Sequence, residues 1–166
     1  SESRPVPHVN WVSWNGYVFR PAPKGQGQPG RFEQIVFQGQ VRPPGLPTLG
    51  EHPLLLVHGL GSSIQGKTFD GLAQYLFERE AATAILGFEY DSLDRVQSNG
   101  VFLREAVNLF GQDSPTPPPW NFVAHSMGTL VTRSAIEQPG PSALPGPSGR
   151  AIFLCGPHLG SGVIDN

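Results

Sequence analysis

Apolar and polar positions along the chain follow two patterns, each typical of one kind of element. Short, continuous apolar runs bounded by turn residues indicate parallel strands that are covered on both faces. These runs are residues 54–57, 82–90, 122–125 and 151–155. Between them the pattern indicates amphipathic helices. The helices are predicted at residues 68–79, 101–110 and 127–137. The alternation of strand and helix predicts an α/β fold with a doubly wound, mostly parallel sheet and right-handed crossovers.

The first fifty residues follow a different pattern of side chains, which predicts an N-terminal antiparallel β extension. Residues 8–20 and 32–41 carry alternating aromatic and β-branched side chains, and the turn-rich segment 21–30 separates them. This pattern indicates two antiparallel strands, followed by a proline-rich linker. We therefore predict a β extension with its linker at 1–50 and the α/β core at 51–166.

Length and composition are those of one globular domain. The chain has 166 residues, 38% of them hydrophobic, and a formal net charge of −2, which does not suggest a nucleic-acid partner. Cys155 is the single cysteine, so no internal disulfide can form. No apolar run reaches transmembrane length and the N-terminus has no hydrophobic signal segment. A cytoplasmic protein and a secreted or periplasmic one after signal removal both fit this sequence.

The stretch Phe122-Val123-Ala124-His125-Ser126-Met127-Gly128 is the strongest candidate for chemistry. It predicts a buried strand, a sharp turn at Ser126 and a helix that begins at once. A serine hydroxyl is a weak nucleophile, so hydrolases place it on such a turn, where the helix N-terminus faces the developing negative charge. Small residues two before and two after the serine allow the turn to pack tightly. Ser126 is therefore the predicted catalytic nucleophile.

Three segments together resemble the α/β-hydrolase superfamily, in particular lipases and related acyl-ester hydrolases. They are LLLVHGLG at 54–61, VAHSMGTLVTR at 123–133 and GPHLGS at 156–161. The resemblance covers residues 53–161. Three positions depart from the usual pattern: Ala124 replaces the first elbow glycine, Thr129 stands where a second glycine is frequent, and Gly156 replaces a threonine.

The resemblance implies roles for residues around Ser126. The backbone amides of Leu60 and Met127 would form the oxyanion hole. His58 precedes the serine in sequence, so we interpret it as a residue that supports the loop and not as the base. The remaining supporting residues would be Gly59, Gly128 and His158. No metal or organic cofactor is implied, because no His, Cys or carboxylate cluster has ligand spacing.

The catalytic acid and base of such an enzyme are missing from this chain. The family order is serine, then Asp or Glu, then histidine, whereas after Ser126 the only histidine is His158 and the only aspartate is Asp165, in the reverse order. We expect the chain to be the front part of a longer hydrolase whose C-terminal strands, acid and base lie beyond Asn166. The alternative is a naturally short, catalytically silent relative.

The predicted function is therefore a serine hydrolase that cleaves carboxylic esters, lipid-like ones in particular, through an acyl-enzyme on Ser126. The partner is an acyl-ester or lipid substrate, with possible peripheral contact with lipid. Acyl transfer, or amide or thioester cleavage, uses the same site, and a non-catalytic binding or scaffold protein would keep the pocket without the triad. A chance match in some other doubly wound domain is disfavoured by three matches at strand ends.

Overall fold

The chain folds into one six-stranded mixed sheet with helices on both faces. The computed structural model describes residues 15–25, 27, 29–36, 42, 44–59, 64, 69–112, 118–137 and 149–154. The strand order is β2-β1-β4-β3-β5-β6. The strands are β1 (Asn15–Arg20), β2 (Arg31–Val36), β3 (Pro53–Val57), β4 (Ala84–Phe88), β5 (Asn121–His125) and β6 (Ala151–Leu154). The helices are α1 (Asp70–Glu78), α2 (Val96–Phe110) and α3 (Met127–Glu137).

Four strands, in the order β4-β3-β5-β6, are parallel to one another, and the hairpin β1–β2 adds the antiparallel part of the sheet. β1 pairs antiparallel with β4, opposite Leu86 to Phe88, so the hairpin continues the same sheet. This confirms the predicted α/β class with an antiparallel N-terminal portion. The side-chain oxygen of Gln74 on α1 accepts hydrogen bonds from the amides of Ala22 and Gly30, which ties both ends of the hairpin connection to that helix. The division at residue 50 stays a prediction.

Alternate residues of the central strand β3 contribute to two separate cores, as the period of a strand requires. Leu55 and Val57 pack in the cluster that contains the buried residues of α2 and α3. Leu54 and Leu56 pack in the cluster on the opposite face, with α1. All five residues of β3 and all five of β4 are buried. Burial on both faces explains why these strands are continuous apolar runs in the sequence.

Two predicted boundaries around the loop after β4 were wrong. The strand ends at Phe88 and not at residue 90, because the amide of Tyr90 turns away from the ladder and donates to the ring of His58. Helix α2 begins at Val96, five residues before the predicted start at residue 101. The polar residue Asn99 belongs to the helix, and its side-chain amide donates to the carbonyl of Asp91. The polar side chain of Asn99 in the first helical turn therefore serves to bind the preceding loop.

The strand predicted at 151–155 is present as β6, but its predicted burial was wrong for the described residues 151–154. All four residues of β6 are exposed, among them Ile152, Phe153 and Leu154. β6 is the edge strand next to β5, and in the described part of the chain no element pairs with its outer side. Its apolar composition is that of a covered strand, which is why the sequence alone indicated burial. Among the described helices, none is long and apolar enough to cross a bilayer.

Truncation of Leu55 tests the central position of β3. Leu55 is fully buried (0% exposed), so Leu55→Ala removes contacts and leaves a cavity, and the free energy of unfolding should fall by about 2–5 kcal/mol. Leu93→Ala is the matched control, because Leu93 is 90% exposed and its truncation should change stability by less than about 0.5 kcal/mol. Urea unfolding of both variants measures the difference. Equal stabilities would contradict the core described above.

Candidate active site

Parallel pairing brings two loops together at one edge of the sheet. β3 and β5 are neighbours, with Val57 opposite Ala124. The residues that follow these strands, His58 and Gly59 after β3 and His125 and Ser126 at the end of β5, therefore come side by side. This edge lies at the carboxyl ends of the strands, where open α/β sheets bind ligands.

Ser126 occupies the sharp turn between β5 and α3 in a strained conformation. Its φ is +54°, in the left-handed region that residues with a side chain rarely adopt, which costs about 1–3 kcal/mol. The Ser126 amide donates to the carbonyl of Leu154 on β6, at 2.8 Å. The Ser126 residue is half-buried. Strain of this kind persists only where the surroundings impose it, and here strands on both sides hold the turn.

The third residue of α3, Thr129, binds the helix start to the serine turn. The amide and the hydroxyl of Thr129 both donate to the Ser126 carbonyl, at 3.0 and 2.7 Å. Met127 is the first residue of α3, and the amides of a first helical turn have no acceptor within their helix. The Met127 amide thus begins a helix whose N-terminal dipole favours negative charge close to Ser126. The Met127 side chain is buried, so the residue contributes its backbone to this edge.

Two glycines allow the backbone segments at this edge to touch. A Cβ on Gly128 would overlap the carbonyl oxygen of His58 and lie 2.7 Å from that of Val57. A Cβ on Gly59 would lie 2.9 Å from the Cβ of Ser126 and 2.9 Å from the Nδ1 of His125. Real Cβ atoms essentially never come this close to other heavy atoms, so both positions favour glycine: backbone blocks a Cβ at Gly128, and the Cβ of Ser126 blocks one at Gly59. The loop after β3 is therefore packed directly against the serine turn.

His58 is buried, at 1% exposed, and both of its ring nitrogens are engaged. The amide of Tyr90 donates to Nε2 at 3.3 Å, so the proton of the neutral ring is on Nδ1, which donates to the Gly59 carbonyl at 2.8 Å. The Tyr90 ring stacks on the His58 ring with centroids 4.1 Å apart, and its hydroxyl donates to the His58 carbonyl at 2.6 Å. Contacts with Gly59 and Tyr90 thus hold both the ring and the carbonyl of His58 in place.

Burial lowers the pKa of His58 below its ordinary 6.5, and the Gly59 carbonyl and the nearby Glu89 carboxylate oppose only part of this effect. Glu89 itself accepts a hydrogen bond from the hydroxyl of Tyr17 on β1. A neutral ring with no free nitrogen is a poor general base. The supporting role that the sequence indicated for His58 stays a prediction.

The structure brings together Ser126, Met127, Gly128, His58 and Gly59 of the predicted site. Leu60 and His158 lie outside the described residues, so their predicted roles stay predictions. In the part of the chain that the structure describes, no three His, Cys, Asp or Glu side chains group as metal ligands would.

Sequence reasoning missed one residue at this edge, Tyr90. It was placed at the end of a strand and assigned no role, whereas three of its groups contact His58. A phenol that ends an otherwise apolar run was the available signal, because a buried hydroxyl needs a hydrogen-bond partner. Arg133, in contrast, forms an exposed ion pair with Glu137 one turn further along α3.

Gly128→Ala tests the close approach of α3 to β3. The added methyl group would meet two backbone carbonyls that cannot move without shifting β3, so the free energy of unfolding should fall by about 1–3 kcal/mol. Gly71→Ala, in helix α1, is the matched control. A Cβ on Gly71 meets nothing within 4 Å, and alanine should raise stability there by about 0.4–1 kcal/mol. If urea unfolding showed that both variants change the free energy of unfolding in the same direction, the close packing of Gly128 against β3 would be contradicted.

The lowered pKa of His58 predicts a pH dependence of stability. As the pH falls through about 6.5, the unfolded chain binds a proton at this residue before the folded chain does, so the free energy of unfolding should decrease. This contribution is complete above pH 6.5 and is lost as the pH falls towards the folded-state pKa. His58→Gln should flatten the slope between pH 7.5 and 5.5, measured by urea unfolding, whereas His52→Gln, at an exposed position, should leave the slope in place.

Comparison with known proteins identifies structural relatives but no sequence family. No protein-family model matches the chain, and no curated protein sequence matches it. The mature form of lipase BlEst2 from Bacillus licheniformis is similar in structure, with a TM-score of 0.52 at 22% identity, over 72% of this chain and 46% of that one. The propeptide form gives a TM-score of 0.54 at 18% identity, over 89% and 27%.

The siderophore hydrolase EstB from Aspergillus fumigatus also matches, with a TM-score of 0.49 at 16% identity, over 80% of this chain and 43% of that one. This chain spans less than half the length of each of these structures. At such identities the similarity concerns the fold. The chain has a mixed, mostly parallel α/β fold shared with α/β-hydrolase structures of the lipase type.

Proposed function

We propose that this chain carries the nucleophile of a serine hydrolase that cleaves carboxylic esters through an acyl-enzyme on Ser126. The observation that carries the proposal is the positive φ of Ser126 at the turn between β5 and α3, with the loop after β3 packed against it. Unfavourable backbone conformations of this kind cluster at functional sites. The likeness of the fold to lipase structures supports the same reaction class.

In the proposed mechanism the Ser126 hydroxyl oxygen attacks the acyl carbonyl carbon while a general base takes its proton. The carbonyl oxygen becomes an oxyanion, which the amides of Met127 and Leu60 stabilise by hydrogen bonding. The tetrahedral intermediate then expels the alcohol, which receives the proton from the base. Water attacks the resulting acyl-serine in the same way and releases the acid.

The amide of Met127 suits this role for a physical reason. It belongs to the first turn of α3, whose amides have no intrahelical acceptors, and a helix N-terminus favours nearby negative charge by about 0.3–1 kcal/mol. That gain is larger in the transition state, where the charge has formed, than in the neutral ester. An interaction of this kind accelerates the chemical step and does not merely bind the substrate.

The general base and the acid that orients it are proposed to lie outside the described residues. His58 is unsuited to the role because Tyr90 and Gly59 occupy its ring nitrogens. Removal of a base from such a triad lowers the rate by orders of magnitude, so the proposal requires a histidine from elsewhere in the protein. The sequence order of related hydrolases places it C-terminal to Ser126.

The proposed substrates are esters with an apolar acyl part. The predicted environment of the acyl group includes Leu60 and Leu159, which suit hydrocarbon, and the structural neighbours are described as lipases. Water, an alcohol or another nucleophile could resolve the acyl-enzyme, so hydrolysis and acyl transfer are distinguished by the product formed.

Replacement of Ser126 tests the proposal directly. The protein as its own cells produce it is incubated with a fluorophosphonate and a p-nitrophenyl ester, and its intact mass is measured before and after. We expect one adduct on Ser126 and ester turnover that Ser126→Ala lowers by on the order of 10⁴- to 10⁶-fold. Ser98→Ala, in the ordinary helix α2, is the matched control and should keep both activities.

The mass also distinguishes the alternatives. A mass above the 17.9 kDa of this chain, with one adduct, supports a longer hydrolase that contains it. Folded wild-type protein that neither takes up the probe nor turns over esters would contradict the enzyme and favour a binding or scaffold protein.

A further inference from the structure

We propose that Tyr90 is a positioning residue that orients two successive peptide groups of the loop after β3, and with them the oxyanion-hole amide that follows Gly59. The inference rests on the proposed function, because it assigns a catalytic consequence to a contact that the fold alone does not require. Tyr90 lies two residues after the end of the neighbouring strand β4, and its hydroxyl and amide bind His58.

The first of these peptide groups joins His58 to Gly59. Its carbonyl oxygen accepts a hydrogen bond of 2.6 Å from the Tyr90 hydroxyl. The same carbonyl oxygen lies where a Cβ on Gly128 would be, so the start of α3 closes its other side. The carbonyl of His58 is therefore held between β4 and α3, and rotation of this peptide group would break the bond to Tyr90.

The second peptide group joins Gly59 to the next residue. Tyr90 acts on it through the His58 ring: its amide can only donate, so Nε2 of His58 accepts and Nδ1 carries the proton. Nδ1–H then donates to the Gly59 carbonyl at 2.8 Å. In a planar trans peptide the N–H points opposite to the preceding carbonyl. The hydrogen bond to the Gly59 carbonyl therefore restrains the peptide group that also carries the following N–H, the proposed oxyanion donor.

Burial makes these contacts effective. His58 and Tyr90 are 1% and 9% exposed, and their rings stack in parallel with centroids 4.1 Å apart and an interplanar angle of 9°. Water does not compete for the hydrogen bonds between them. Burial also raises the pKa of the Tyr90 phenol, so its hydroxyl remains a proton donor at neutral pH. Donors held in place before the reaction contribute most to transition-state stabilisation, because they need no reorganisation.

The matched pair of variants is Tyr90→Phe and Tyr17→Phe. Each removes one phenolic hydroxyl and keeps the ring. The Tyr90 hydroxyl binds the loop, whereas the Tyr17 hydroxyl, on the adjacent strand β1, donates to the Glu89 carboxylate. Both hydroxyls sit among residues at the same end of the sheet, so a merely structural role predicts similar effects on activity.

We expect Tyr90→Phe to lower kcat for a p-nitrophenyl ester by about 10- to 100-fold and to leave KM within about twofold, because the oxyanion forms only in the transition state. Tyr17→Phe should leave both constants within about twofold. The double variant of Tyr90→Phe with His58→Gln should lose less activity than the product of the single losses, because the two changes act on consecutive peptide groups of one loop: the first frees the His58 carbonyl and the second frees the Gly59 carbonyl. In the double variant of Tyr17→Phe with His58→Gln, the loss of activity should equal the product of the two single losses.

Circular dichroism and urea unfolding establish that each variant is folded. Should Tyr90→Phe fail to fold, His58→Gln alone tests the same arrangement, since it replaces the ring through which Tyr90 acts on Gly59. A folded Tyr90→Phe with unchanged kcat, or a fall in kcat shared equally by Tyr17→Phe, would overturn the inference while Ser126→Ala still abolishes turnover. A wild-type protein without esterase activity or probe labelling would overturn the proposed function and this inference with it.

Discussion

Backbone contact between the loop after β3 and the start of α3 is the constraint on which the candidate site depends. Gly128 and Gly59, which follow neighbouring parallel strands, each lack the space for a Cβ because backbone or Ser126 already occupies it. A side chain at either position would force the two loops apart. The serine turn, the start of α3 and the His-Gly loop lie next to one another only because both residues are glycine.

The strain of the turn is small compared with the burial that holds it. A left-handed serine costs about 1–3 kcal/mol. Full burial of one leucine contributes about 1.5–3 kcal/mol, and the adjacent strand β3 buries three leucines from both faces of the sheet. The central strands thus keep Ser126 in a conformation that a short peptide would abandon. The same comparison explains why the turn follows a strand with three buried central residues and lies beside a strand that is buried throughout.

How much of this arrangement the sequence predicts depends on whether the interaction is local. The strands β3 and β5, the helix α3 and the elbow at Ser126 follow from apolar runs and from residues within a few positions of each other. The contacts of Tyr90 with His58 join residues 32 positions apart, and no local pattern indicates them. The start of α2 was misplaced because Asn99 looks like a loop residue until its partner Asp91 is known. The exposure of β6 depends on what covers an edge, which apolar composition does not reveal.

The serine turn is therefore held by different kinds of contact on its two sides. On the β3 side, stacked rings and hydrogen bonds without access to water fix the loop that carries Gly59. On the β6 side, the Ser126 amide donates to Leu154, a residue of an exposed strand. Two neighbouring strands thus fix the serine turn through backbone groups, β3 through the close contact at Gly59 and β6 through the carbonyl of Leu154.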